Sequence, residues 1–217
     1  MKKVITGFCL ILCSMSIAFA DELETYRVTI TNGTLHHVIT PPLIVTHHNQ
    51  FQIFQIGQPA SEGLAILAES GNNQPLLMEI ESADGVIDVI AGAAPILYGQ
   101  SASFEIQARK KALISLVGML ASTNDGFAAI NGLPLPNKAS HYVAHVFDAG
   151  SESNNENCAY VPGPPCAADS GNASDEGEGY VSFHNGIHGV GDLDPMMLDW
   201  RGSVAVVSIT RLMIENL

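Results

Sequence analysis

Three acidic side chains stand where apolar runs give out. Asp125 lies in Ser122-Thr123-Asn124-Asp125-Gly126-Phe127, directly after the run 113–120. Asp148 and Glu152 lie in Asp148-Ala149-Gly150-Ser151-Glu152, directly after an alternating stretch that ends at Phe147. Calcium takes about six to eight oxygen ligands from carboxylates, carbonyls and water, and loops meeting at one end of a β-fold can supply them. Gly126, Ala149 and Gly150 are small enough to let backbone carbonyls approach an ion. The same residue types also build ordinary turns, so spacing alone leaves calcium ligation and plain turn chemistry both open. A second cluster is His184-Asn185-Gly186-Ile187-His188-Gly189-Val190-Gly191-Asp192-Leu193-Asp194. Imidazole suits zinc or copper better than calcium, whereas Asp192 and Asp194 are oxygen donors. The cluster reads as a second metal site at His184, His188, Asp192 and Asp194, or as a tight glycine-rich loop whose polar groups face water.

Signatures of catalysis are missing from the sequence. It has no G-x-S-x-G elbow or H-E-x-x-H helix, and no phosphate-binding or dinucleotide glycine pattern. The chain is therefore read as a binding protein rather than an enzyme. Two rivals stand beside that reading: a metal-dependent hydrolase built on the loop from His184 to Asp194, and a purely structural exported domain. The pairs His36-His37 and His47-His48, and the strand-spaced His141 and His145, are read as satisfied or solvated side chains. Trp200 is read as core.

The elements around these residues begin with an export signal. Lys2 and Lys3 precede an apolar stretch from Val4 to Ile17, and Ala18-Phe19-Ala20 has the form of a cleavage site. The expected organisation is a signal peptide over 1–20 and one domain over 21–217, with no membrane span after cleavage. Loss of residues 1–20 takes two of the 9 basic side chains and none of the 22 acidic ones, leaving a formal charge of −15. Such a chain lacks the basic footprint that nucleic acid requires. The expected location is secreted, periplasmic or cell-surface. Cys9 and Cys13 leave with the signal. Cys158 and Cys166, flanking a Pro/Gly segment, are read as a disulfide that staples one loop in an oxidising compartment.

Period-two alternation marks strands at Tyr26–Thr31, 101–108, 141–147 and 204–212, with a buried strand at 113–120 and short ones at 51–56 and 180–183. Ser61 to Glu69 is the best helix, capped by Ser61, stopped by Gly71, with Leu64, Leu67 and Ala68 facing inward. The stretch 76–80 fits either state. Asp148 to Gly179 is a long, polar, acidic connection. The pattern predicts an all-β, antiparallel two-sheet β-sandwich with one short helix and this long acidic loop.

Five segments in order resemble the spondin domain, the module of F-spondin and mindin that also exists in stand-alone bacterial versions. They are Tyr26-Arg27-Val28-Thr29-Ile30-Thr31-Asn32, Pro59-Ala60-Ser61-Glu62-Gly63-Leu64-Ala65, Asn124-Asp125-Gly126-Phe127, Asp148-Ala149-Gly150-Ser151-Glu152 and Asp199-Trp200-Arg201. The most specific is Asp-Ala-Gly-Ser-Glu, similar to the family's Asp-Ala-Gly-Thr-Asp. The resemblance implies a C2-like sandwich with an extracellular recognition or adhesion role, toward a protein or glycan surface. It also implies calcium held by Asp125, Asp148 and Glu152. Gly126 stands where animal members carry Trp, and Glu152 where they carry Asp.

Overall fold

The computed structural model describes residues 22–166 and 177–213. The signal read over 1–20 lies outside them. Nine strands and three helices follow in the order β1 (Glu24–Asn32), β2 (Leu43–His47), α1 (Glu62–Ser70), α2 (Gln74–Glu81), β3 (Val86–Ala91), β4 (Ser101–Ala108), β5 (Leu113–Met119), β6 (Gly126–Pro134), β7 (Ala139–Asp148), β8 (Ser182–Phe183), α3 (Pro195–Leu198) and β9 (Ala205–Leu212). The protein is mostly β and antiparallel, as the alternation predicts. Eight strands form one hydrogen-bonded path, β3-β2-β5-β6-β7-β9-β1-β4, with β8 added to β7, where the sequence pattern led us to expect two sheets.

Strand β7 turns the path. Its first part, from Ala139 to Ala144, pairs with β9. Its last part, from His145 to Asp148, pairs with β6. The outer strands β3 and β4 then approach each other, so the sheet is nearly a barrel. Asp88 Oδ2 accepts from the Gln107 amide at 2.8 Å, and the Thr46 hydroxyl donates to the Gln107 carbonyl at 2.5 Å.

Two apolar layers explain the burial pattern. Val28, Ile30, Ile106, Ile114, Leu116, Val146, Val207 and Ile209 fill the interior of the curled sheet. Leu43, Val45, Val117, Phe127 and Phe147 point the other way and are covered by Phe54 and by Leu64, Leu67, Leu76 and Ile80 of the helices. Strand β2 is thus buried on both faces. It and β3 carry no clean alternation, and the expected strand list omits them, together with β6.

Helix α1 forms as its caps dictate. The Ser61 side chain accepts from the Leu64 amide, and Gly71 closes the helix in the left-handed region. Leu64, Leu67 and Ala68 are the buried face. Glu79 of α2 reinforces the start, accepting from the Ser61 hydroxyl and the Gly63 amide, both at 2.6 Å. We expect Ser61→Ala to lower stability by about 1 kcal/mol, read from the urea midpoint.

Two expectations are corrected. The stretch 76–80 is helical within α2 and Pro195–Leu198 forms α3, so three helices stand among the described residues where one was expected. The segment 51–56 is no strand. Its Phe54 plugs the outer layer against Phe127 and Phe147, at ring separations of 5.1 and 4.8 Å. Its backbone closes local turns instead of a ladder, Phe51 donating to His48 and Gln58 to Gln55.

Candidate functional site

The β6–β7 register brings the acidic segments together. Gly126 pairs with Asp148, so Asp125 and Asp148, far apart in sequence, become neighbours, and the Ala149 amide donates to the Asp125 carbonyl at 3.2 Å. The preceding turn is held by Thr123, whose hydroxyl donates to the Leu120 carbonyl at 2.7 Å and accepts from the Gly126 amide at 2.9 Å. A Cβ on Gly126 would lie 2.6 Å from the Thr123 hydroxyl and 3.1 Å from the His184 ring. The turn therefore has no room for the tryptophan that animal spondin domains carry at this place.

Asp125, Asp148 and Glu152 are all buried, at 0, 3 and 0 % exposure. Asp125 Oδ2 accepts from the amides of Ser151 at 2.8 Å and Glu152 at 3.0 Å, and from the Ser151 hydroxyl at 3.3 Å. Its Oδ1 is equally buried and accepts from no donor among the described residues. Asp148 Oδ1 accepts from the Gly150 amide at 2.7 Å, and its Oδ2 from the Asn154 side chain. Burial, and then the charge of Asp148, push the Asp125 carboxyl up to about 7 against the pull of the two amides. Burial likewise raises Asp148, with Asn154 opposing and Glu178 adding to the rise. Glu178 is brought here by the returning chain, whose Gly179 amide donates to the Gly150 carbonyl at 2.8 Å.

The second cluster is organised by a residue that sequence reasoning passed over. Buried Glu156 accepts from the amides of His188, Gly189 and Val190 at 2.6, 2.7 and 3.0 Å. Its own amide donates to Asn124 Oδ1 at 3.1 Å, which ties the loop to the Asp125 turn. Consecutive glycine-rich amides can surround a carboxylate in this way, and the glycines of 186–191 were the one available signal. The remaining acids of the loop shape backbone: Asp192 Oδ2 accepts from the Cys158 amide at 2.9 Å, and Asp194 caps α3 through Met196. The His184 Nδ1 atom lies 3.0 Å from the Gly186 amide that donates to it, while Nε2 is buried without a partner among the described residues. Burial, then His37 and His188, lower His184 to about 4. His188 itself is exposed. We expect Glu156→Gln to accelerate amide hydrogen exchange at 188–190 while leaving β1 and β9 protected.

A small cavity of about 130 Å³ beside the second cluster is lined by Glu156, His184 and His188 together with Asn124, Asn154 and Glu178. Among the described residues, no three His, Cys, Asp or Glu side chains are gathered in a way that would by themselves hold a metal ion. Cys158 and Cys166 are joined in a disulfide. They pack with Val161, Ile187, Leu193, Leu198 and Trp200 as a separate small core beneath these loops. The loop expected over 148–179 falls partly outside the described residues; Asp148 itself ends β7, and 149–166 form no helix or strand.

These features define an all-β, disulfide-stapled module whose loops converge on buried carboxylates at one end. Residues 36–155, more than half of the chain, match the family described as Spondin_N, and the chain belongs to that family. The match contains Asp125, Asp148 and Glu152 and stops before the His184 loop. Comparison with curated proteins finds no match. Family membership and the disulfide together are those of a spondin-type extracellular module.

Proposed function

We propose that this chain is an exported, non-catalytic recognition module that binds calcium where the Asp125 turn meets the segment from Asp148 to Glu152. One observation carries the reading: Asp125 Oδ1 is buried without a donor among the described residues, beside a second buried carboxylate. A buried charge needs a counter-charge, and the strongest influences on Asp125 are burial, Asp148 and backbone amides, with no lysine or arginine among them. The donor set is all oxygen, which suits calcium. Asp125, Asp148 and Glu152 would hold the ion, with carbonyls, asparagine oxygens and water completing a shell that the acids alone do not form. Bound there, calcium supplies electrostatic cross-linking between the two segments.

In this reading residues 1–20 direct export, and the curled sheet is a C2-like sandwich whose halves share β7. The partner is an extracellular protein or a glycan surface. Calcium titration calorimetry on the mature chain tests the ion: heat with one-site stoichiometry supports it, and no heat at millimolar calcium removes it. Elemental analysis of the same preparation separates the rival hydrolase, which requires zinc or copper retained near His184.

A further inference from the structure

Strands β6 and β7 part company halfway along. They pair only from Ala129↔His145 to Gly126↔Asp148. The cause is in β6, where the register against β5 slips by one residue between Ile114 and Leu116. Gly132 takes a φ of 67° there, and its amide turns to the Ser115 hydroxyl at 2.8 Å. A bulge of this kind bends its strand away from a neighbour. Asn131 is tied to the Phe54 carbonyl at 2.8 Å. At the far end the Tyr142 hydroxyl reaches across to the Pro134 carbonyl at 2.6 Å.

The resulting gap is a cavity of about 550 Å³, whose lining includes Gln52, Gln55, Ile56, Val143, His145 and Phe147. None of its lining residues is Asp, Glu, Lys or Arg, in a chain whose formal charge is −13. Ile56 and Val143 are about half exposed, at 49 and 48 %. The β7 backbone adds a second feature. Lys138 bonds toward β9, so the even-numbered residues of β7 face that strand and the odd-numbered ones face the gap. At His145 and Phe147 the odd side meets β6. At His141 and Val143 it meets no partner strand among the described residues.

We propose that this gap accepts an extended, uncharged apolar segment of a partner protein, which adds as a strand along β7 at His141 and Val143. Strand addition uses main-chain hydrogen bonds for affinity and pockets for alternate side chains for selectivity. The free edge supplies the first. Ile56, Val143 and Phe147 supply the second, and the Gln52 and Gln55 carboxamides can bond the added backbone. Absence of charge selects against acidic and basic segments, whose desolvation would go uncompensated. The segment names a partner class for the recognition role proposed above and rests on that role, but not on the calcium ion.

The test uses the mature chain and a blocked peptide of about eight residues alternating Val and Thr, as a strand-adding probe. A Lys/Glu-substituted peptide and a neutral cello-oligosaccharide serve as comparison probes. Binding is read by fluorescence anisotropy for the labelled probes and by amide hydrogen exchange at His141 and Val143. We expect the apolar peptide alone to bind and to protect both amides. Val143→Pro, which removes the gap-facing amide without touching a β9 bond, should weaken it roughly tenfold or more. Ile56→Ser, on a surface loop, should weaken it without disturbing the sheet. No peptide binding, binding indifferent to both substitutions, or binding of the oligosaccharide in its place would overturn the proposal. Calcium calorimetry on the same samples keeps the two readings apart: intact calcium binding with no peptide binding rejects the groove alone.

Discussion

We expect calcium to raise the melting temperature of the wild-type domain and to leave that of Asp125→Asn where it was. A ligand that binds only the folded state adds about 2.7 kcal/mol at a hundred times its Kd. For a domain of this size each kcal/mol moves Tm by roughly 2–4 °C, so the expected rise is about 5–10 °C. Asparagine at 125 keeps an oxygen for the amides of Ser151 and Glu152, which bond Asp125 Oδ2 at 2.8 and 3.0 Å. It removes the charge that draws the ion. The substitution should therefore abolish the calcium shift without loosening the turn, and the chelated variant should melt above the chelated wild type at neutral pH. Scanning calorimetry with calcium and with chelator reads both effects. Equal calcium shifts in the two proteins would place the ion elsewhere.

What the sequence disclosed followed from local rules. The helix α1, with Ser61 and Gly71 at its ends, needed only capping chemistry. The strand β4 over Ser101–Ala108 needed only alternation, because one of its faces is open. Strands β2 and β6 stayed hidden because both of their faces are covered, by the sheet interior and by the layer of α1, α2 and Phe54. Burial on two sides erases the period of two. The segment around Phe54 misled for the related reason that a plug and a strand contain the same residues. At the site, Asp125, Asp148 and Glu152 were legible as residue types at strand ends, and the β6–β7 register then joined them. Glu156 was not legible, since its role depends on amides some thirty positions further along that only the folded loop presents. The free edge at Val143 was hidden likewise, because it exists only where the bulge at Gly132 diverts β6.

In the absence of metal, the same carboxylates make stability depend on pH in a way that Asp125→Asn isolates. Asp125 titrates near 7 in the fold against 3.8 in the unfolded chain. Between those values the folded state binds more protons, so this group's contribution falls as pH rises from about 4 to about 7 and is constant above. Asp148 is displaced in the same sense. His184 opposes them. Its folded value near 4 lies below the ordinary 6.5, so the unfolded chain binds the extra proton, and stability is lost as pH falls through that interval. The windows overlap, and with two raised carboxyls acting against one lowered imidazole the wild-type stability should fall as pH rises from about 4 to 6.5. Removing the Asp125 charge leaves the histidine contribution less opposed. The variant's stability should fall less with pH across the interval than that of the wild type, and its advantage over chelated wild type should grow to the order of a few kcal/mol by about pH 8. Guanidinium unfolding in chelator, repeated across this range, reads the difference. Parallel curves for the two proteins would show that Asp125 titrates alike in the folded and unfolded chain, and that no buried charge waits there for a cation.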